Sequence, residues 1–129
     1  SGMIREPLQG ERANVPVDTG LRVVLNSPTA AVDGLIHAMS IDDNSWGAPL
    51  GLNLPGISVT VGEMVEALRE VGGEEAVARL SFERDETIER IVSGWPTTAQ
   101  SDRAARLGFA ADRPFIEAVR DFAASLERN

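Results

Sequence analysis

Apolar positions along this chain switch between two spacings, and each switch marks an element. Leu21-Arg22-Val23-Val24-Leu25 is a short β-branched run bounded by Gly20 and Asn26, the pattern of a buried strand. Ser27-Pro28 follows, a capping residue with proline in the first turn. Val32, Leu35, Ile36 and Met39 then recur at helical spacing as one stripe. Asp42 to Gly51, rich in Asp, Asn, Ser, Gly and Pro, predicts a loop. Leu52-Asn53-Leu54 predicts a short strand stopped by Pro55-Gly56. Thr60-Val61-Gly62-Glu63 places glutamate three residues after threonine, a capping box. Val61, Met64, Val65, Leu68 and Val71 give the helix behind it an apolar face, and Gly72-Gly73 predicts its end.

Toward the chain ends the signals are shorter. Met3 to Leu8 is amphipathic, and Pro7 predicts that any helix there stops early, before Gly10. Ala78 to Glu83 fits another strand, while Asp85 to Ser93 has no decisive period. Ser101 to Leu107 predicts a short helix closed by Gly108. The last helix follows Asp112, has Pro114 in its first turn, and turns Phe115, Ile116, Val119, Phe122 and Leu126 inward. Short strands separated by helices predict parallel pairing in an α/β fold. So few strands make a poor sheet alone, and those at Val23 and Leu54 are expected to lie beside something longer.

Composition narrows the chemistry. The chain has no tyrosine and no cysteine, and all 12 of its basic residues are arginine. Phenol acid/base work, lysine Schiff bases, thiol chemistry and disulfides are therefore excluded within it. A net charge of −8 with no basic stripe argues against nucleic acid. No apolar run approaches the roughly 20 residues of a membrane span. Ser1 to Gly10 carries Arg5, Glu6 and Pro7, so no signal peptide is expected and a cytoplasmic location is.

Four segments in register resemble one family. Met3-Ile4-Arg5 through Leu8-Gln9-Gly10, within Ser1 to Leu8 as a longer string, is similar to the helix-then-glycine segment of extended short-chain dehydrogenases, the NAD-dependent epimerase/dehydratase family. Arg22 to Ser27 resembles that family's arginine-bearing strand running into a capped helix. Asn53 to Glu63 is similar to its Asn-hydrophobic-Gly strand and next capped helix, and Ser101 to Phe109 to its penultimate helix. The strings at Ser1 to Leu8 and Asn53 to Glu63 look like those of a subgroup acting on small sugar acids of the D-erythronate kind. The resemblance implies that residues 1–129 are a single C-terminal, substrate-side part of an extended Rossmann-type fold. Short parallel strands and about four to five helices are expected, with the cofactor half absent. The family's glycine-rich dinucleotide loop is not here, and its Tyr-x-x-x-Lys cannot be. NAD(P) is therefore implied for an intact parent, with no cofactor for this chain alone. Where nucleotide-sugar enzymes carry Arg-x-Gly-Asp, this chain has Val92-Ser93-Gly94-Trp95, which favours a smaller substrate.

By resemblance Arg22 reaches the substrate's anionic group, a task suited to a guanidinium fork; the plainer reading is a strand-edge arginine paired with Asp18 or Asp33. Trp95, in a loop of small polar residues, walls a pocket or covers the core. Arg90 is a second anion ligand or a solvated charge near Asp85, Glu86 and Glu89. His37, the only histidine, falls off the apolar stripe, and no metal site is expected around it. Three functions compete: part of a sugar-acid oxidoreductase, part of a nucleotide-sugar epimerase or dehydratase, or a free-standing binding domain. Expected partners are a small anionic sugar acid and an N-terminal Rossmann portion, with homo-oligomerisation left open. An uncovered apolar face separates the first two from the third.

Overall fold

A computed structural model describes residues 2–98 and 100–129; Ser1 of the opening string lies outside the described residues. Helix α1 (Gly2–Leu8) leads to strand β1 (Ala13–Asn14) and then β2 (Arg22–Leu25). Helices α2 (Pro28–Ser40) and α3 (Asp43–Trp46) precede β3 (Ile57–Thr60) and α4 (Val61–Val77). The chain closes with β4 (Leu80–Ser81), α5 (Glu86–Ser93), α6 (Asp102–Arg106) and α7 (Phe115–Glu127). This is the α/β class the pattern implies. Helices outnumber expectation because α3 is one turn within the predicted loop and α5 occupies the stretch without a clear period.

Helix α4 is the centre of the packing. Thr60 Oγ1 accepts from the Glu63 amide at 3.1 Å while Glu63 Oε2 accepts from the Thr60 amide at 2.8 Å, so both ends of the predicted box close. Of its stripe Val61, Met64, Val65 and Leu68 are buried, Leu68 fully, and Val71 is half-buried; Ile4, Val23, Val59 and Val119 pack around Met64 and Leu68. A second cluster, Val15, Val17 and Val61, lies under β1. The predicted stop at Gly72-Gly73 is a kink: Gly73 sits at φ 76° and ψ 178°, and helix resumes to Val77. Helix α1 ends at Leu8, before Gly10 as expected, with Pro7 in its last turn. In so short a helix the missing amide deprives only the Met3 carbonyl.

The strands pair in twos. β1 and β4 are parallel, Ala13 opposite Leu80, as alternating strands and helices lead one to expect. β2 and β3 are antiparallel, Arg22 opposite Thr60 and Leu25 opposite Ile57. The connection explains the reversal. After α2 and α3, the predicted Leu52–Leu54 strand has no sheet partner. Leu54 lies against the backbone of α2 at Gly34, where a Cβ would come within 2.9 Å of Leu54 Cδ2. Asn26 Nδ2 then donates to Pro55 O at 2.7 Å, which starts β3 at the end of β2 and sends it back alongside.

The stripe of α2 is the main departure from the expected core. Val32, Leu35, Ile36 and Met39 are 54%, 68%, 62% and 87% exposed, and only Gly34 of this helix is buried. Of the five α7 residues expected inward, Val119 is buried and Phe115, Ile116, Phe122 and Leu126 are half-buried.

Candidate functional site

The site is assembled at the start of β2. Asp18 Oδ1 accepts from the Gly20 amide at 2.7 Å, making the side-chain turn that launches the strand. Gly62 N and Val61 N donate to Thr19 O and Leu21 O at 2.7 and 2.9 Å, fixing the α4 N-terminus to that turn. Arg22, exposed as the first residue of β2, reaches across the ladder. Its Nη1 donates to Ser58 O at 3.3 Å and approaches Ser58 Oγ at 3.4 Å. Ser58 Oγ in turn donates to Thr97 O at 2.6 Å. One serine therefore connects the arginine to the loop that bears Trp95.

The acids named as plainer partners of Arg22 are engaged elsewhere. Asp18 serves the Gly20 amide and lies 3.6 Å from Arg84, and Asp33, on α2, lines a cleft that does not include Arg22. Among the described residues Arg22 forms no ion pair, and its Nη2 and Nε hydrogens have no recorded partner. That leaves a fork that can meet a carboxylate or phosphate.

Trp95 does not cover the core. It is 56% exposed and follows α5, whose last turn closes through Gly94 N and Trp95 N. The other tryptophan, Trp46, is the one that packs: Phe109 meets it edge-on, and Arg103 lies over its ring at 5.6 Å. Arg90 is exposed on α5, and no hydrogen bond ties it to Arg22 or to the Trp95 loop among the described residues. Its neighbouring acids are mostly spoken for. Asp85 caps the Thr87 and Ile88 amides. Glu89 accepts from Arg84 Nε at 2.8 Å and from the Asp18 amide at 3.0 Å. The Arg84 hydrogen bond holds the Glu89 carboxyl below the usual carboxylate range. The structure thus joins Arg22 to the Trp95 loop and leaves Arg90 separate.

Ser58 was not singled out from the sequence; its signal was the Ile57-Ser58-Val59-Thr60 alternation opposite Arg22. A cleft of about 270 Å³ lies between α2 and the α6–α7 corner, away from Arg22. Its polar groups mostly satisfy one another. Ser27 N and Oγ donate to Asp112 at 2.7 and 2.8 Å. His37 Nε2 is 2.7 Å from Leu107 O, and its ring stands edge-on to Phe109. His37 is thus half-buried in a structural contact. Among the described residues no group of three or more His, Cys, Asp or Glu could hold a metal ion, and no helix is long and apolar enough to cross a membrane.

A dinucleotide does not fit the residues present. Its pyrophosphate needs a helix N-terminus with free amides behind a glycine turn. Among the described residues the strand-to-helix junctions are β2 through Asn26-Ser27 into α2, β3 directly into α4, and β4 through Phe82 to Asp85 into α5. Each carries a carboxylate at the helix start, Asp112 at the first, Glu63 at the second and Asp85 at the third. A bound phosphate would meet like charge at all three.

An arginine-bearing strand entering a capped helix, then a second strand entering a boxed helix, are set in the order of extended short-chain dehydrogenases. The chain belongs to that family, the NAD-dependent epimerases and dehydratases, as a C-terminal portion. It is 42% identical over 122 residues to the D-erythronate dehydrogenase of Cupriavidus necator, covering 95% of this chain and 38% of that one. Against the D-erythronate dehydrogenase of Haemophilus influenzae it is 40% identical over 125 residues, covering 95% of this chain and 39% of the relative. The crystal structure of a nucleoside-diphosphate-sugar epimerase from Agrobacterium tumefaciens superposes with a TM-score of 0.85 at 44% identity, over 92% of this chain and 35% of that one. A GalE-like L-threonine dehydrogenase from Cupriavidus necator shares the fold, with a TM-score of 0.80 at 21% identity. No protein-family model matches the chain.

Proposed function

We propose that this chain forms the substrate side of an NAD(P)-dependent oxidoreductase that oxidises a secondary alcohol of a small sugar acid. Arg22 holds the acid's carboxylate, Trp95 walls the pocket, and Arg90 adds positive charge at its rim. The observation that carries the reading is Arg22. Its guanidinium is steadied by Ser58 and unpaired with any carboxylate among the described residues, in a chain 42% identical to a D-erythronate dehydrogenase. With no tyrosine or lysine of its own, this portion binds and orients. The proton-taking group and the dinucleotide site belong to a further, Rossmann-type portion of the parent enzyme.

The test is made on an enzyme that includes this segment. Arg22→Ala is expected to raise KM for a four-carbon sugar acid by about 10- to 100-fold, the loss of one charge-assisted contact. Arg22→Lys should fall between, because an ammonium lacks the fork. Equal losses with the corresponding uncharged polyol would overturn the assignment. A second reading, a nucleotide-sugar epimerase, has the Agrobacterium tumefaciens structure in its favour. Val92-Ser93-Gly94-Trp95 weighs against it, since no arginine or aspartate stands there. Turnover of a nucleoside-diphosphate sugar with none of a sugar acid would decide for it.

A further inference from the structure

The β2–β3 pair has a buried face and an outer one. Val23 and Val59 lie opposite each other and are buried, so the alternate positions Arg22 and Val24 share the outer face with Ser58 and Thr60. Thr60 stands directly opposite Arg22, but its hydroxyl is committed to the Glu63 amide as the cap of α4. The other hydroxyl of these positions belongs to Ser58, opposite Val24 and diagonal to Arg22, a separation that a long side chain spans. Arg22 Nη1 is shared between Ser58 O at 3.3 Å and Ser58 Oγ at 3.4 Å. A serine hydroxyl has a single hydrogen, and that of Ser58 goes to Thr97 O at 2.6 Å. A carbonyl only accepts and a guanidinium only donates. The chain of bonds therefore runs one way, from Arg22 through Ser58 to Thr97, and the lone pairs of Ser58 Oγ stay turned to Nη1.

We propose that Ser58 is a positioning residue for the substrate's acid: by holding Arg22 Nη1, it leaves the Nε–Nη2 edge of the guanidinium to the ligand. Those two nitrogens have no partner among the described residues. They carry parallel N–H groups on one side of the guanidinium plane, the edge that meets both oxygens of a carboxylate together. An alcohol offers that edge a single, uncharged oxygen. Ser58 thus acts through Arg22, without touching substrate, and sharpens the preference for an acid over the matching polyol. The Thr97 carbonyl is what keeps the serine hydroxyl from rotating into the role of a donor toward the bound acid. The inference rests on the reading of Arg22 as the acid's ligand, and adds which edge receives the acid and what fixes that edge.

The test compares Ser58→Thr with Ser58→Val in an enzyme that includes this segment. Both side chains are β-branched and suit a strand, so the hydroxyl is the main difference between them. Ser58→Thr should keep KM for a four-carbon sugar acid within about 2-fold, and Ser58→Val should raise it about 3- to 10-fold, with kcat unchanged in both. Ser58→Ala, which adds no bulk, should repeat the valine result. KM for the corresponding uncharged polyol should move in none of the three. In an Arg22→Ala background Ser58→Val should add no further loss, since the two act as one unit. Thermal melts followed by circular dichroism check that each variant is folded. Three results overturn the proposal: threonine and valine variants with the same KM for the acid, an equal rise with the polyol, or a full additional loss on top of Arg22→Ala. If Arg22→Ala weakens acid binding while the threonine and valine variants agree, this inference fails alone. If Arg22→Ala leaves KM for the acid unchanged, the proposed function fails and the role of Ser58 with it.

Discussion

At position 27 a serine hydroxyl accepts from the Ala30 amide at 3.1 Å and donates to Asp112 Oδ1 at 2.8 Å. It caps a helix and satisfies a half-buried carboxylate together. Ser27→Ala is expected to cost about 1–2 kcal/mol, read as a lower urea midpoint with an unchanged slope; the backbone bond to Asp112 survives and limits the loss. Glu89 gives a pH effect with a definite sign. Its folded-state carboxyl is held low, chiefly by the Arg84 hydrogen bond. The stabilisation is therefore present above the ordinary glutamate value of about 4.3 and is lost as pH falls through the lower folded value. Urea midpoints from pH 7 to pH 3 should drop less steeply in Glu89→Gln than in the parent chain, and parallel curves would reject the assignment.

Elements differed in how plainly the sequence announced them. The α4 box was legible because Thr60 and Glu63 are local to each other and no distant contact competes. The α2 helix was legible from Ser27-Pro28, but the destination of its stripe was not, since periodicity reports which face is apolar and says nothing of what covers it. Leu52-Asn53-Leu54 reads as a strand because two leucines flank a polar residue just before Pro55-Gly56. What it lacks is a hydrogen-bonded neighbour in a sheet; Gly34, 20 positions away in sequence but in contact in space, lets Leu54 rest on the helix. The two-residue strand β1 left no periodic trace. Arg22 and Trp95 are readable in the sequence as candidates, whereas Ser58, which hydrogen-bonds both Arg22 and the Trp95 loop, is hidden in a pre-helix alternation. Gly73 offers the test at this scale. Its φ of 76° and ψ of 178° form a backbone conformation reserved for glycine. Gly73→Ala should destabilise by about 1–3 kcal/mol, seen in thermal melts, while Gly51→Ala, in open space at an ordinary φ, should change little.

Taken whole, the molecule concentrates its stability on α4 and spreads its ion pairs over the surface, where each contributes little. Its apolar faces on α2 and α5 and its single-neighbour strands are the features of a body that packs against another. None of the three strand-to-helix junctions among the described residues offers an anion a free helix start. Calorimetry on the isolated 129-residue chain should therefore show no heat of NAD binding, and a saturable signal would contradict the assignment of the dinucleotide to another portion. The Ser27–Asp112 bond spans 85 positions of sequence. On the ribosome, the Ser27 hydroxyl can cap the Ala30 amide at once, whereas its bond to Asp112 must wait for 85 further residues, and the loop that bond closes is long. A nascent chain stalled before Asp112 would thus carry α2 with its local cap in place but without the bond that fastens its first turn to the rest of the fold.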